Sequence, residues 1–406
     1  MAKIDDSVKK KVPELRFKGF TDDWEERKLS DIVSRLSKSS NNSELPRVEF
    51  EDIVSGEGRL NKDVSHKFDD RKGILFSSQN ILYGKLRPYL KNWLLADFKG
   101  IALGDFWVFK PINSDPKFVY SLIQSNHYQK VANDTSGTKM PRSDWKKVSS
   151  TEFQIPSSLE EQKKIGSFFK KLDDTIALHQ RKLDLLKEQK KGYLQKMFPK
   201  NGAKVPELRF AGFADDWEER KLSDVANHRG GTAIEKYFDK YGVYKVISIG
   251  SYGLNSQYVD QNIRAISNEI TDGRVVNSGE LTMVLNDKTA NGTIIGRTLL
   301  VEKDNEYVIN QRTEIISPKE NFDSNFAYTI LNGPFREKVK RIVQGGTQIY
   351  VNYPAVSNLN LELPKIEEQQ KIGSFFKQLD DTIALHQRKL DLLKEQKKGF
   401  LQKMFV

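Results

Sequence analysis

Two stretches of this chain crowd cations, amides and aromatic rings around short turns, side-chain types that suit contact with a polyanion. In the first, Leu82-Tyr83-Gly84-Lys85-Leu86-Arg87-Pro88-Tyr89 sets Lys85, Arg87 and Tyr89 about one turn. Ser78-Gln79-Asn80, and Ser136-Gly137-Thr138-Lys139 with Arg142, add further donors. In the second, Asn286-Asp287-Lys288-Thr289-Ala290-Asn291 follows an apolar strand-like run. Gln311-Arg312 and Gly346-Thr347-Gln348-Ile349-Tyr350 complete that set. Arginine matches guanine and Asn or Gln matches adenine in a major groove, whereas Lys, Thr and glycine N–H groups suit phosphate. For any one residue, a solvated loop charge or a hairpin turn is the plain alternative.

Chemistry of another kind finds no foothold. An amino-methyltransferase needs an Asn/Asp-Pro-Pro-aromatic loop, and Val351-Asn352-Tyr353-Pro354 lacks the double proline, so it reads as a turn. No GxxxxGK[ST] loop occurs for nucleotide phosphates. Glu302-Lys303 stands in a turn without the separated acid a nuclease requires. The 5 histidines are scattered with no metal-ligand spacing, and the chain has no cysteine, which rules out disulfides and cysteine zinc sites. No catalytic constellation and no bound metal or cofactor is expected.

The 406 residues predict two to three domains. No apolar run reaches the length of a membrane span, and the opening MAKIDDSVKKK lacks a signal-peptide core, so a soluble cytoplasmic protein is expected. A net charge of +11 favours an anionic partner, although basic proteins are common.

The elements that must position these turns come from repeats. Residues 165–198 return at 372–405 with only Lys171/Gln378 and Tyr193/Phe400 changed. Their apolar positions step in alternating fours and threes. The first seam is Ile165, Phe169, Leu172, Ile176, Leu183, Leu186, Tyr193 and Met197, interrupted by His179 and Lys190. The second is Ile372, Phe376, Leu379, Ile383, Leu390, Leu393, Phe400 and Met404, interrupted by His386 and Lys397. Such a narrow heptad stripe predicts two helices, each about 50 Å long at roughly 1.5 Å per residue, that cover one another. A helix lying on a globular domain would show a broader apolar face. We read the histidines as register-setting seam residues rather than ligands. An antiparallel pair is favoured, with a domain at each end and Val406 returned to the first lead-in.

A second repeat precedes each middle: Val12–Ile32 recurs as Val205–Val225, 193 residues later, while the helices recur after 207. The middles barely align but share an order of events. Strands are predicted at Gly73–Ser77, Asn80–Leu86, Asn92–Phe98 and Phe106–Lys110, then a helix from Lys117 to Val131. The second middle predicts strands at Tyr244–Ile249, Glu280–Leu285, Thr293–Val301 and Tyr307–Ile316, then a helix over Asp323–Ile342 broken at Gly333-Pro334. Both exit through an apolar residue and proline, Ile155-Pro156 and Leu363-Pro364, and Ser157 or Ser158 could open a capping box with Glu160 or Glu161. The fold class expected is α+β, two similar domains on two long helices. The divisions are 1–32 lead-in, 33–156 first middle domain, 157–198 first helix, 199–225 linker and second lead-in, 226–364 second middle domain and 365–406 second helix. Matching solvent faces, Lys182, Asp184, Lys187, Glu188 and Lys191 against Lys389, Asp391, Lys394, Glu395 and Lys398, suggest that both halves dock the same partner.

This layout, with helices entered by IPSSLEEQKKIGSFFKKLDDTI and LPKIEEQQKIGSFFKQLDDTI and a Gly-Thr turn before each exit, resembles the specificity subunit of Type I restriction–modification enzymes. The resemblance covers nearly the whole chain. It implies that each middle reads one half of an asymmetric two-part target in double-stranded DNA, and that the coiled coil fixes the spacer. It further implies two methyltransferase (M) subunits on the repeated segments and two restriction (R) subunits for cleavage. In the complex the M subunits would use S-adenosylmethionine and the R subunits ATP and Mg²⁺, while this chain is non-catalytic and binds no cofactor. A fused methyltransferase and a protein-only coiled-coil scaffold are the rivals; turnover by the isolated chain, or failure to bind duplex DNA, would mark them.

Overall fold

The structure, a computed structural model, describes residues 12–135, 139–200 and 202–406. Two compact units form. One is the chain up to Leu183 together with His386–Val406, and the other is Asp184–Leu385. The long helices are Leu159–Lys196 and Ile366–Lys403, and each gives its first part to one unit and its second part to the other.

In the first unit the two helix segments run antiparallel. Phe168 meets Phe400 edge-on with centroids 5.0 Å apart, Asp173 pairs with Lys397 at 2.6 Å, and the His179 and His386 Nδ1 atoms lie 3.3 Å apart. The second unit repeats the arrangement with the segments exchanged: Tyr193 meets Phe375 at 5.0 Å, and Lys190 pairs with Asp380 at 2.5 Å. The seam lysines therefore carry a partner acid across the helix pair, which answers why a cation can interrupt an apolar stripe. The expected seam enters the domain cores at its ends. Ile165 and Phe169 join one core with Met404 and Phe405; Ile372 and Phe376 join the other with Met197 and Phe198. Leu183, Leu390 and Leu393 are buried between the ends, and Leu172, Leu186, Leu379 and Ile383 are half-buried.

The repeated lead-ins tie each domain to its helix, a role their sequence did not reveal. Glu25–Lys28 pairs antiparallel with Glu152–Ile155, and Glu218–Lys221 with Asn360–Leu363. Arg16 then donates two hydrogen bonds to the buried Glu161, at 2.7 and 2.8 Å. Arg209 does the same to Glu368, at 2.7 Å each. The next residue, Gln162, accepts from the Asp115 N–H at 3.0 Å and donates to the Pro156 carbonyl at 2.9 Å. Gln369 makes the matching bonds to Asp323 and Pro364. The Glu161 N–H donates to Ser158 Oγ, one half of the expected cap. Leu15 N–H, from the lead-in, caps the Lys403 carbonyl at the end of the second long helix, and Leu208 N–H caps that of Lys196.

Each domain carries two four-stranded sheets. In the first, the strand order is Val33–Leu36, Phe106–Pro111, Ile81–Gly84, Trp93–Leu95, all antiparallel. The counterpart is Ala226–Gly230, Thr313–Pro318, Leu281–Val284, Thr298–Leu300. The other sheets share a run of three strands that includes a parallel pair, Arg47–Val48 beside Gly100–Ala102 and Tyr244–Ile247 beside Tyr307–Ile309. Three expected elements are corrected, one being the strand over 293–301, which is turn as far as Gly296 and strand only over Thr298–Leu300. The helix over 117–131 is two, Pro116–Leu122 and Asn126–Ala132, because the Ser125 side chain caps a new start. The strand over 307–316 is also two, interrupted at Arg312, which is left-handed at φ 65°. The break expected at Gly333-Pro334 separates Ser324–Asn332 from Pro334–Arg341.

Removing one partner of a buried, bidentate ion pair leaves an uncompensated charge. Arg16→Ala should therefore destabilise the first unit by about 3 kcal/mol, whereas Arg27→Ala, at an exposed pair with Glu25, should cost less than about 1 kcal/mol. Urea unfolding followed by circular dichroism distinguishes the two. Burial, helped by Lys182 and His179, holds the His386 imidazole below its ordinary value of 6.5. A histidine whose folded pKa is depressed stabilises above its unfolded pKa and loses that contribution as pH falls from about 6.5 towards the folded value. The first unit should thus weaken below pH 6.5, and His386→Gln should flatten that part of the profile.

Candidate nucleic-acid interface

In the first unit the strand Ile81–Gly84 ends at Lys85, and the chain beyond it is stitched to the segment before Trp145. Leu86 bridges Arg142, the Arg87 N–H donates to the Pro141 carbonyl at 2.7 Å, and the Ser143 N–H donates to that of Lys85 at 2.9 Å. Asp105 fastens the turn. Its carboxylate accepts from Arg142 at 3.0 Å and lies 3.6 Å from Lys85, and Arg142 holds the Asp105 carboxyl below its ordinary value. Arg87 is exposed and left-handed at φ 48°, and it forms no ion pair among the described residues. Tyr89, 56% exposed, follows it, and Lys139 is exposed on the facing segment. Lys85, Arg87, Tyr89, Lys139 and Arg142 therefore share one end of the domain.

Ser78, Gln79 and Asn80 do not join them. They form the turn before Ile81, at the other end of the same strand. Asn80 is also buried, its side chain accepting from the Ser77 N–H at 2.9 Å, so it shapes the turn and cannot offer an amide to a ligand. Thr138 lies outside the described residues.

The second unit repeats the stitching with other side chains. Asn286-Asp287 pairs antiparallel with Ile349-Tyr350, and the Val351 N–H donates to the Leu285 carbonyl at 2.9 Å. The loop after the strand is pinned by Asp287, a buried carboxylate that accepts from the Thr289 N–H and hydroxyl at 3.0 Å and from the Ile294 N–H at 2.8 Å. Burial would raise the Asp287 carboxyl, but the N–H groups of Ile294 and Thr289 bring it below its ordinary value. Thr289 is thus committed to holding the loop that presents Lys288 and Asn291, both exposed. Arg312, exposed and left-handed, donates from Nη1 to the Asn286 amide at 3.2 Å once that amide is oriented to its partners. Thr347, Gln348 and Tyr350 are exposed on the neighbouring hairpin. All the residues expected in this half fall together.

Matching strand registers place Lys85 against Leu285, Leu86 against Asn286, Asp105 against Arg312, and Arg142 against Tyr350. Backbone geometry is shared and side chains are not. No group of three or more His, Cys, Asp or Glu able to hold a metal occurs among the described residues, and none of the described helices is long and apolar enough to cross a membrane.

A family model described as the Type I restriction modification DNA specificity domain matches residues 21–188 and again 214–395. The chain is 26% identical over 304 residues to the Type I restriction enzyme MjaVIII specificity subunit of Methanocaldococcus jannaschii, covering 71% of this chain and 69% of that one. It is 26% identical over 197 residues to the HindI specificity subunit of Haemophilus influenzae, covering 47% and 41% of the two chains. Among solved structures, the S subunit of a Type I restriction–modification system from M. genitalium shares the fold with TM-score 0.67, at 12% identity over 97% of this chain and 99% of that one. A chain from a structure on complex assembly and conformational transition of the type I R-M system aligns at TM-score 0.51 and 17% identity, over 93% and 96%. With two copies of the family domain spanning most of its length, this protein belongs to the Type I restriction–modification specificity subunits, which recognise DNA and carry no catalysis of their own.

Proposed function

We propose that residues 33–156 and 226–364 each read one half of an asymmetric, two-part target in double-stranded DNA, and that the paired long helices set the spacer between the halves. The repeated segments dock two methyltransferase subunits, and two restriction subunits join for cleavage, in a cytoplasmic complex. The methyltransferase subunits supply S-adenosylmethionine chemistry on adenine, and the restriction subunits use ATP and Mg²⁺.

The observation that carries the reading is the divergence at matched register positions. Lys85, Leu86, Asp105 and Arg142 of one unit correspond to Leu285, Asn286, Arg312 and Tyr350 of the other, while the strands beneath keep one pattern. Two heads of one shape with unlike surface chemistry suit two unlike half-sites. Arg87 and Arg312 are the first choices for base edges; Lys139, Lys288 and Thr347 suit phosphate.

Retention on duplex DNA in moderate salt, weakening steeply as salt rises, separates this reading from a protein-only scaffold, which would show neither. Lys288→Ala should weaken binding to all sequences alike and lower the salt slope by about one charge, while Arg312→Ala should cost about 1–3 kcal/mol and relax one base of the second half-site. Exchanging residues 226–364 for another family member's domain should change one half of the methylated motif and leave the other. Removing one heptad from both long helices should alter the spacer or abolish assembly; unchanged spacing would refute the ruler.

A further inference from the structure

Beside the turns already described, each domain carries a second trio of side chains at matched positions, and the two trios have opposite chemistry. In the second unit, Ala226–Gly230 is the edge strand of its sheet and pairs with Thr313–Pro318, so His228 and Glu314 stand on neighbouring strands. His228 Nδ1 and Glu314 Oε1 share a hydrogen bond at 2.6 Å, and the histidine ring lies on Tyr353, centroids 4.5 Å apart. Glu314 is 8% exposed and His228 54% exposed. Glu314 comes two residues after Arg312, and Tyr353 three after Tyr350, so the trio adjoins the candidate interface. Gly230 lies opposite Glu314 in the ladder, and a Cβ there would sit 3.4 Å from Oε2. No hydrogen bond reaches that oxygen among the described residues.

In the first unit the same register places Arg35, Trp107 and Trp145. Val33 faces Pro111 as Ala226 faces Pro318, which aligns Arg35 with His228 and Trp107 with Glu314. Trp145 and Tyr353 each open the short helix after the stitched segment. The Arg35 guanidinium lies over the Trp145 ring, 4.7 Å from its centroid, and Trp107 meets Trp145 edge-on at 5.3 Å. Arg35 is exposed and has no ion pair among the described residues. The ring fixes the guanidinium plane and leaves its donors free.

Glu314 is a carboxylate held in a buried site by one histidine, and burial pushes its carboxyl up, a cost that packing alone does not require. A chain of neutral residues would fill the site at lower cost. We propose that this trio is a further specificity-determining position in both domains: Glu314, aligned by His228 and Tyr353, accepts from the amino group of a cytosine or adenine, and Arg35, held on Trp145, donates to a guanine. The chemistry follows from donor and acceptor type. Carboxylates pair with exocyclic amino groups in the major groove, and guanidinium groups with guanine O6 and N7. The proposal rests on the reading that these domains recognise DNA sequence.

The test is selection of bound duplexes from a random-sequence pool by the full chain purified with its co-expressed methyltransferase subunits. Wild type, Glu314→Gln, His228→Gln and Arg35→Gln are compared. Glu314→Gln should reduce the preference at one base pair of one half-site about tenfold and leave the other half unchanged. His228→Gln should weaken the same position, and Arg35→Gln a position in the opposite half only. Because His228 is exposed, its variant decides the matter if Glu314→Gln does not fold. Variants that select the wild-type motif with undiminished preference overturn this inference while leaving DNA reading intact. A wild-type complex that selects no motif overturns the DNA reading itself.

Discussion

The fold hangs on a carboxylate that the sequence places at the start of each long helix. Glu161 and Glu368 are almost wholly buried, so each is tolerable only with its arginine present, and each arginine lies about 150 residues earlier in the chain. The pair therefore joins lead-in to helix, and the adjoining glutamine joins the same helix to the cap of a recognition-domain helix. A helix that could slide or roll on its domain would break both sets of bonds together. Buried charge pairs contribute little net stability compared with apolar packing, but they penalise every misplacement heavily. Here the effect is angular: domain and helix are fixed to one another.

The apolar interior supports this without specifying it. Aromatic rings from the helix ends, Phe169 and Phe405 in one core and Phe376 and Phe198 in the other, enter domain cores and not only the seam. Apolar packing of that kind accepts small rotations. The directional bonds to Glu161 and Gln162 do not.

Much of this was legible from residue order. The heptad spacing gave both long helices and their mutual covering, because a narrow stripe has few other ways to be buried. The Gly333-Pro334 break was legible because proline removes a donor and clashes with the preceding turn. The break at Arg312 was not, since no glycine marks it and the left-handed turn is imposed by the pairing of Leu285 with the Arg312 carbonyl. The clamp was hidden for a related reason: Arg16 and Glu161 look like two solvated charges until the fold brings them together. Residue type pointed to Arg87 and Arg142 in one unit and to Lys288 and Tyr350 in the other, and topology brings each pair together within its own unit. It also moved Asn80 inside and set Ser78 and Gln79 at the far end of their strand, because a turn-rich sequence does not say which end of a strand each turn occupies. His228 and Arg35 escaped notice since nothing in their flanking residues marks them; only the ladder register does.

That register has a bearing on how new specificities could arise. In both sheets the central strands are buried along their length, Ile81–Gly84 and Leu281–Val284 among them, whereas residues beyond the strand ends such as Arg87 and Lys288 are exposed. Substitution at a strand end leaves hydrophobic area and ladder bonding almost untouched, so it meets little resistance from stability. Exposed positions beyond the strands are thus free to vary while the scaffold beneath them stays as it is.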